Sequence, residues 1–487
     1  MTMIGLNKRT VMAIRKIEKI WEYAEAHRRT FAELSDKVWE TPEVTYSEHK
    51  SAAAHRQAAM VQGFRVTEAI ANIPTAFVAE AGSGGPVIAF LGEYDALPGL
   101  SQEANIAEPR PLPGNGNGHG CGHNLLGAAS LLAATALKDY LAETGLEGTV
   151  RYYGCPAEEG GAAKTFMVRA GCFDDVDIAI SWHPDSMVRV DPSLSLANTR
   201  IDFSFHGRSA HASMAPHLGR SALDAIELMS VGVNYLREHV PSDTRLHYAV
   251  LDTGGTAANV VQARAKVRYS VRAIDLVGMQ AVLERVIAVA KGAATMTGTR
   301  VEAKIISAVA NLMANDVLTS RMQDVLDRLG PVQFDESDRE YARRIQATLT
   351  PEDIEGNYLE VGLPITDKPL CDFVIPIQVR GANMLGSTDV GDVSWVVPTV
   401  QARVATHAIG TPGHSWQITA QGKAPAAHKG LLHAAKAMAM MGLEAITDRD
   451  LLTAAWNAHR IKVSKVPYTN PIPDEIQPPI AEMSQRV

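Results

Sequence analysis

Within Gly118-His119-Gly120-Cys121-Gly122-His123-Asn124, a thiol and two imidazoles crowd into a glycine-rich stretch ahead of a long apolar segment. Soft and borderline donors this close together suit a zinc-type or manganese-type ion. A Cys-x-His pair can place both donor atoms on one ion, which itself deprotonates the thiol. Taken alone, Cys121 and His123 are better read as a buried cysteine and a histidine capping a helix. Downstream, Glu158 and Glu159 are adjacent, and neighbouring acids on a loop point to different sides. One can bind metal while the other takes a proton from a water acidified by a dication and passes it to a leaving amine. His183 follows an apolar run, and His414 lies in the turn-rich Gly410-Thr411-Pro412-Gly413-His414-Ser415. Asp95, two positions after Glu93, is placed to orient a metal-bound imidazole. One thiolate, several imidazoles and a carboxylate doublet suggest metal-assisted hydrolysis.

The elements that must position these groups are legible from periodicity. Over residues 11–40 the apolar positions Ile14, Ile17, Ile20, Trp21 and Ala24 fall near helical spacing, and a second helix is predicted over 47–62. Pro86 to Leu91 is a short apolar run, hence a buried strand. A helix over 125–141, a strand over 149–153, a helix over 162–170 and a strand over 177–181 follow. Strands alternating with helices predict an α/β sheet with parallel strands, and such sheets form sites beyond the carboxyl ends of their strands. Residues 194–312 change character: strand 198–206, helix 220–239, strands 245–252 and 264–273, helix 276–297 and strand 300–307 give the ferredoxin-like β-α-β-β-α-β order. This reads as a unit inserted between residues 1–193 and 313–487. Residues 331–372, charged and interrupted by prolines, suggest no element, and a late packing helix is expected over 426–441.

The chain has 487 residues, is 46% hydrophobic and 21% charged, and carries a formal charge of −8. That length argues for more than one domain, and the mild acidity argues against non-specific nucleic-acid binding. Four scattered cysteines predict a reduced protein rather than a disulfide framework. Residues 1–19 lack the apolar centre of a signal peptide, and no window approaches eighteen uncharged apolar residues, so a cytoplasmic location is expected. There is no Gly-x-Ser-x-Gly elbow and no His-Glu-x-x-His, which sets aside a serine hydrolase and a zincin.

Four motifs occur in order: Gly92-Glu93-Tyr94-Asp95-Ala96-Leu97-Pro98, His119-Gly120-Cys121-Gly122-His123-Asn124, Pro156-Ala157-Glu158-Glu159-Gly160 and Gly207-Arg208-Ser209-Ala210-His211-Ala212. Together they resemble the dinuclear metallo-aminoacylase family, which includes hippurate and indoleacetyl-amino-acid amidohydrolases and glutamate carboxypeptidases. The resemblance implies a zinc-exopeptidase-like catalytic domain with a mixed, largely parallel sheet, plus an inserted ferredoxin-like dimerisation or lid domain. It implies two divalent metal ions, zinc or manganese, with Cys121 bridging and His123, Glu159, His183 and His414 completing the sites. Glu158 matches the general acid/base and Asp95 the carboxylate supporting a ligand. Glu93 stands where many relatives carry a metal-binding histidine. His428 competes with His414 as the late ligand, and the bendable glycine-proline loop favours His414. By the same resemblance, His211 reaches into a partner protomer's site to polarise the scissile carbonyl, Asn259 contacts substrate, and Arg272 clamps its carboxylate. The implied substrate is an N-acyl amino acid, with p-aminobenzoyl-glutamate first, indoleacetyl-aspartate or another aromatic acyl-amino acid next, and a dipeptide further off. The implied assembly is a homodimer through the inserted domain or a hetero-oligomer with a related chain. The non-enzymatic alternative is a metal-poor chain that stabilises or regulates a related hydrolase.

Overall fold

The computed structural model describes residues 18–379, 381 and 386–484; Ile14 and Ile17 of the predicted first helix lie outside them. Helices α1 (Ile20–Trp39) and α2 (His49–Val61) lead into strands β1 (Arg65–Glu68), β2 (Phe77–Ser83) and β3 (Val87–Glu93). Next come α3 (His123–Thr144), β4 (Gly148–Cys155), α4 (Ala163–Arg169), β5 (Ile178–Asp185) and the short β6 (Arg189–Val190). The inserted unit runs β7 (Ala197–His206), α5 (Ala222–Leu236), β8 (Arg245–Asp252), β9 (Arg264–Ala273), α6 (Leu276–Thr297) and β10 (Arg300–Val309). The chain returns through α7 (Asp316–Leu329), α8 (Glu336–Gln346), α9 (Pro351–Val361), α10 (Val390–Val396), β11 (Thr399–Ala405), α11 (Trp416–Gln421), α12 (Pro425–Thr447) and α13 (Arg449–Lys465).

The larger sheet has seven strands in the order β1-β2-β4-β3-β5-β11-β6. Its centre, β4-β3-β5-β11, is parallel, and antiparallel pairs flank it on both sides. Strand β3 shows why the run Val-Ile-Ala-Phe-Leu has no polar face. Ile88 and Phe90 point into one apolar core with α1, α3 and α12, while Ala89 and Leu91 point into another with α4 and α10. A strand buried on both faces loses the usual alternation, and each large apolar side chain contributes about 1.5–3 kcal/mol by leaving water. Helix α3 is long and apolar enough to cross a membrane, yet 83% of its most apolar window is buried within this protein.

Two of the boundaries that differ from the sequence reading concern the site. The helix expected from Leu125 begins at His123, because Gly122 turns the chain at φ +80° directly before it. A Cβ at Gly122 would also stand 3.0 Å from Pro184. The strand expected to end at Ser181 continues through Trp182, His183 and Pro184 to Asp185, because β11 pairs with it throughout. His183 is therefore a strand residue rather than one that follows a strand. The stretch 331–372, where no element was expected, holds α8 and α9, each opened by a capping box: Asp335 with Asp338, and Thr350 with Asp353. Strands β1, β2, β6 and β11 were not anticipated either.

The inserted unit forms a separate antiparallel sheet in the order β10-β7-β9-β8 with its own apolar core against α5 and α6. This is the ferredoxin-like arrangement, and β8, β9 and α6 occupy the predicted residues.

Buried histidines give the fold a sensitivity to acid. Burial, aided by nearby Lys436, brings His433 on α12 down to about 4, and burial, with His119, brings His55 down to about 3. Each folded value lies below the unfolded one, so each ring contributes stability present above pH 6.5 that is lost as pH falls towards the folded value. His433 alone should remove about 3 kcal/mol by pH 4. Denaturant midpoints measured from pH 7 to 4 should decline, and should decline less steeply for His433→Met.

Candidate active site

The carboxyl ends of β3, β4 and β5 converge on one cavity of about 380 Å³. Strand β3 ends at Glu93 and feeds Asp95, β4 feeds Glu158 and Glu159, and β5 carries His183 near its end. Cys121 and His123 stand at the start of α3, and His414 enters on the loop after β11.

The Cys121 Sγ lies 3.5 Å from His183 Nε2. His183 Nδ1 donates to the Pro184 carbonyl at 2.8 Å, which leaves Nε2 as the donor atom facing the thiol. His123 Nδ1 meets Asp95 Oδ1 at 2.8 Å, and its Nε2 stands 3.3 Å from Glu93 Oε2. The other Asp95 oxygen accepts the Glu159 N–H at 2.8 Å. A single carboxylate thus aims His123 and fixes the Glu158-Glu159 loop. His414 Nε2 is 3.3 Å from Glu159 Oε1. The donor atoms make three overlapping triads, each within 4.8 Å: Cys121-His123-His183, Cys121-Glu159-His414 and Glu93-His123-Glu158. Cys121 belongs to two of them, and so does His123.

This donor set fits divalent cations. Buried His123 Nε2 has no hydrogen-bond partner, and a polar atom buried in that state is costly without a ligand. Electrostatics agree. Burial and Glu159 push the Cys121 thiol up, but His123 and His183 outweigh them and bring it to about 6. Burial acts against the charge on His123, yet Cys121 and Asp95 hold it well above the usual imidazole value. Burial raises Glu159, but the hydrogen bond from His414 and the charge of His123 take it to about 2. Hydrogen bonds to Cys121 and Glu159 lift His414 to about 10. Glu158 differs: burial, then the charges of Glu93 and Glu159, hold it well above the ordinary carboxylate range. Of the two adjacent acids, Glu159 is held as an anion and Glu158 is poised to carry a proton.

The backbone is strained where these groups meet. Ala157, Ala162 and His414 all take left-handed φ, between 55° and 59°. Such conformations persist only where their surroundings impose them. The Ala157 N–H donates to Glu48 Oε1 at 2.9 Å, and Tyr46 hydroxyl donates to the Gly161 carbonyl at 2.7 Å. Beneath the site, fully buried Lys164 Nζ bridges Glu93 Oε1 at 2.6 Å and Asp389 Oδ1 at 2.7 Å.

Of the residues singled out from sequence, Asp95, Cys121, His123, Glu158, Glu159, His183 and His414 come together here. Arg272 lines the same cavity from β9. His428 does not join the cluster; its Nε2 pairs with Asp36 at 2.8 Å. His211 and Asn259 are exposed and do not line this chain's cavity. They lie side by side, joined by the Ala212 N–H to the Asn259 carbonyl and by a bridge from His211 to Val260. Glu48, Lys164, Asp389 and Arg200 were missed. A lone lysine early in a helix and an acid before one carry no sequence signal. Arg200 had a faint one, as the middle member of the alternating polar set Asn198, Arg200, Asp202 on β7.

Across 97% of its length, one of the two subunits of the p-aminobenzoyl-glutamate hydrolase of Escherichia coli (strain K12) is 43% identical to 93% of this chain. The chain belongs to the M20 peptidase family. It is a hydrolase of amide bonds, as the motif set implied. Residues 196–295 match the peptidase dimerisation domain that marks M20 proteins. The other subunit of the same Escherichia coli hydrolase is 32% identical over 56% of this chain and 63% of its own length. A crystal structure of a dinuclear metal-binding M20 peptidase from Bacillus subtilis superposes with a TM-score of 0.55 at 18% identity, covering 87% of this chain and 99% of that one. The M20 fold is thus shared well beyond the range of sequence similarity.

Asp95 illustrates how the site is supported. Asp95→Asn keeps the shape but weakens the hold on His123, and should lower metal affinity or activity by roughly 10–100-fold. Competition titration with a metal indicator measures this directly.

Proposed function

We propose that this chain hydrolyses N-acyl amino acids, with p-aminobenzoyl-glutamate as its substrate, releasing p-aminobenzoate and glutamate. The observation that carries the reading is one cavity holding the cation-binding triads, a proton-carrying glutamate and an arginine for a carboxylate. The substrate named for the Escherichia coli relative supports the acyl group.

Cys121, His123 and His183 would hold one cation and Cys121, Glu159 and His414 the other. Two such cations, zinc or manganese, supply Lewis acidity that polarises an amide carbonyl and makes water acidic near neutral pH. The thiolate favours zinc. Glu158 takes the proton from the attacking water. The C–N bond breaks as Glu158 hands that proton to the departing amino-acid nitrogen. Arg272 binds the leaving amino acid's carboxylate through paired hydrogen bonds, a task that suits a guanidinium fork better than an ammonium. His211 and Asn259 act from a second protomer, either another copy or a related chain, docked through the inserted unit. Their exposure supports this, and so does the pairing of two related subunits named for the Escherichia coli hydrolase. The site of action is the cytoplasm.

The test is substrate profiling of the purified, metal-loaded chain. It should cleave p-aminobenzoyl-glutamate at least tenfold more efficiently than indoleacetyl-aspartate or an unmodified dipeptide. Faster turnover of a dipeptide would overturn the substrate. Stoichiometric metal with no hydrolysis until a related chain is added would make this chain one half of an obligate pair.

A further inference from the structure

Arg200 on β7 and Lys266, Arg268 and Arg272 on β9 are cationic side chains on one face of the inserted sheet. Residues two apart on a strand share a face, and the register pairs Arg200 with Ser270 and Asn198 with Arg272. Arg200 and Arg272 are therefore diagonal neighbours. Lys266 and Arg268 are ion-paired, since both share Asp202, at 2.7 and 2.6 Å. Arg403, which lines the catalytic cavity from β11, is neutralised too, with Asp191 at 2.6 Å and Asp185 at 3.2 Å. Among the described residues, Arg200 and Arg272 make no salt bridge, although the charges of Glu159 and Glu158 act on Arg200; both are partly buried and both line the cavity. Arg272 Nε reaches only Ser270 Oγ at 3.4 Å, and Arg200 Nη1 only the Glu159 carbonyl at 3.3 Å.

The loop is shaped around Arg200. Gly160, next to Glu159, takes φ +156°, and a Cβ there would stand 1.7 Å from Arg200 Nη1. Any side chain at position 160 would displace the guanidinium from its place beside the catalytic loop. Two adjacent guanidiniums, desolvated and not ion-paired, are complementary to a ligand with two carboxylates.

We propose that Arg200 is the specificity residue for the side-chain carboxylate of the leaving amino acid, acting beside Arg272 on the α-carboxylate. The site then selects N-acyl dicarboxylic amino acids over neutral ones. This rests on the amidohydrolase reading above and adds to it a residue and a substrate class.

Glutamine is the neutral isostere of glutamate, so the comparison is p-aminobenzoyl-glutamate against p-aminobenzoyl-glutamine on the metal-loaded enzyme. Wild type should prefer the glutamate conjugate. Arg200→Met should lower kcat/KM for that conjugate by roughly thirtyfold to a thousandfold, chiefly through KM, and lower it far less for the glutamine conjugate. Arg200→Lys, which keeps the charge but not the fork, should fall between, and it carries the test if the methionine variant does not fold. Metal content and melting temperature are read on each variant. Equal losses on both conjugates, in either variant, would make Arg200 a support for the Glu159 loop and overturn the inference alone. A wild type that shows no preference for glutamate over glutamine, or does not cleave the glutamate conjugate, would overturn the inference and the proposed substrate together.

Discussion

Glu158→Gln should abolish most hydrolysis, lowering kcat by roughly a hundredfold to ten-thousandfold, while leaving metal content unchanged. The two parts of this expectation have separate causes. The amide keeps the volume of the carboxyl group but neither accepts a proton from water nor returns one to the departing nitrogen. The ligands of both cation sites can be drawn from Cys121, His123, Glu159, His183 and His414, none of which the substitution touches. Glu158 is also the acid whose neighbours, Glu93 and Glu159, together with burial, favour its protonated form, whereas Glu159 is held as an anion. Two adjacent acids of the same type are thus pushed in opposite directions, the arrangement that divides proton carrier from ligand. Glu159→Gln should behave differently, losing metal along with activity. Steady-state kinetics paired with elemental analysis separates the two. Glu158→Gln retaining more than a tenth of wild-type kcat would remove it from the proton-carrying role.

Lys164→Met should have the largest effect on stability, a loss of about 3–5 kcal/mol. Lys164 is fully buried, as are Glu93 and Asp389, which it bridges. Burial opposes its charge, yet Asp389 and Glu93 keep it well above the usual lysine value. Lys164 and His123 likewise hold Glu93 ionised against its burial. Methionine fits the space but removes the cation that bridges the two carboxylates. The damage would pass to the site, because Glu93 Oε2 stands 3.3 Å from His123 Nε2. Denaturant unfolding of the metal-free protein measures the loss, and a change below 1 kcal/mol would show that the triad is not a structural keystone.

Much of the site was legible because metal chemistry demands particular residue types and glycine-rich loops to gather them. Cys121, His123, Glu158, Glu159 and His183 announce themselves by type, spacing and place relative to apolar runs. The inserted unit was legible because β9 alternates cleanly between buried and less buried positions, and because α6 carries a stripe of buried apolar residues. Helix α3 and strand β3 were visible by their apolar character, although β3, buried on both faces, has no alternation. Strand β11 was hidden by Gln401 and Arg403, which interrupt its apolar run to meet Asp191 and Asp185 across the cavity wall. The charged helices α8 and α9 were hidden because each buries only a narrow apolar stripe, Tyr341, Ala342 and Ile345 on α8 and Tyr358 and Val361 on α9, among charged residues. Lys164 was invisible, and Arg200 nearly so, for a third reason. Each matters only through groups far away in sequence, 71 and 225 positions for Lys164 and 41 for Arg200.

The central claim is that Cys121, His123, Glu159, His183 and His414 gather two cations for hydrolysis. Elemental analysis of the purified, untreated chain, with activity assayed before and after chelation, tests it most directly. Two equivalents of zinc or manganese per chain are expected, with hydrolysis lost on chelation and restored by adding back either ion. Undiminished hydrolysis from a chain without stoichiometric metal would contradict the account.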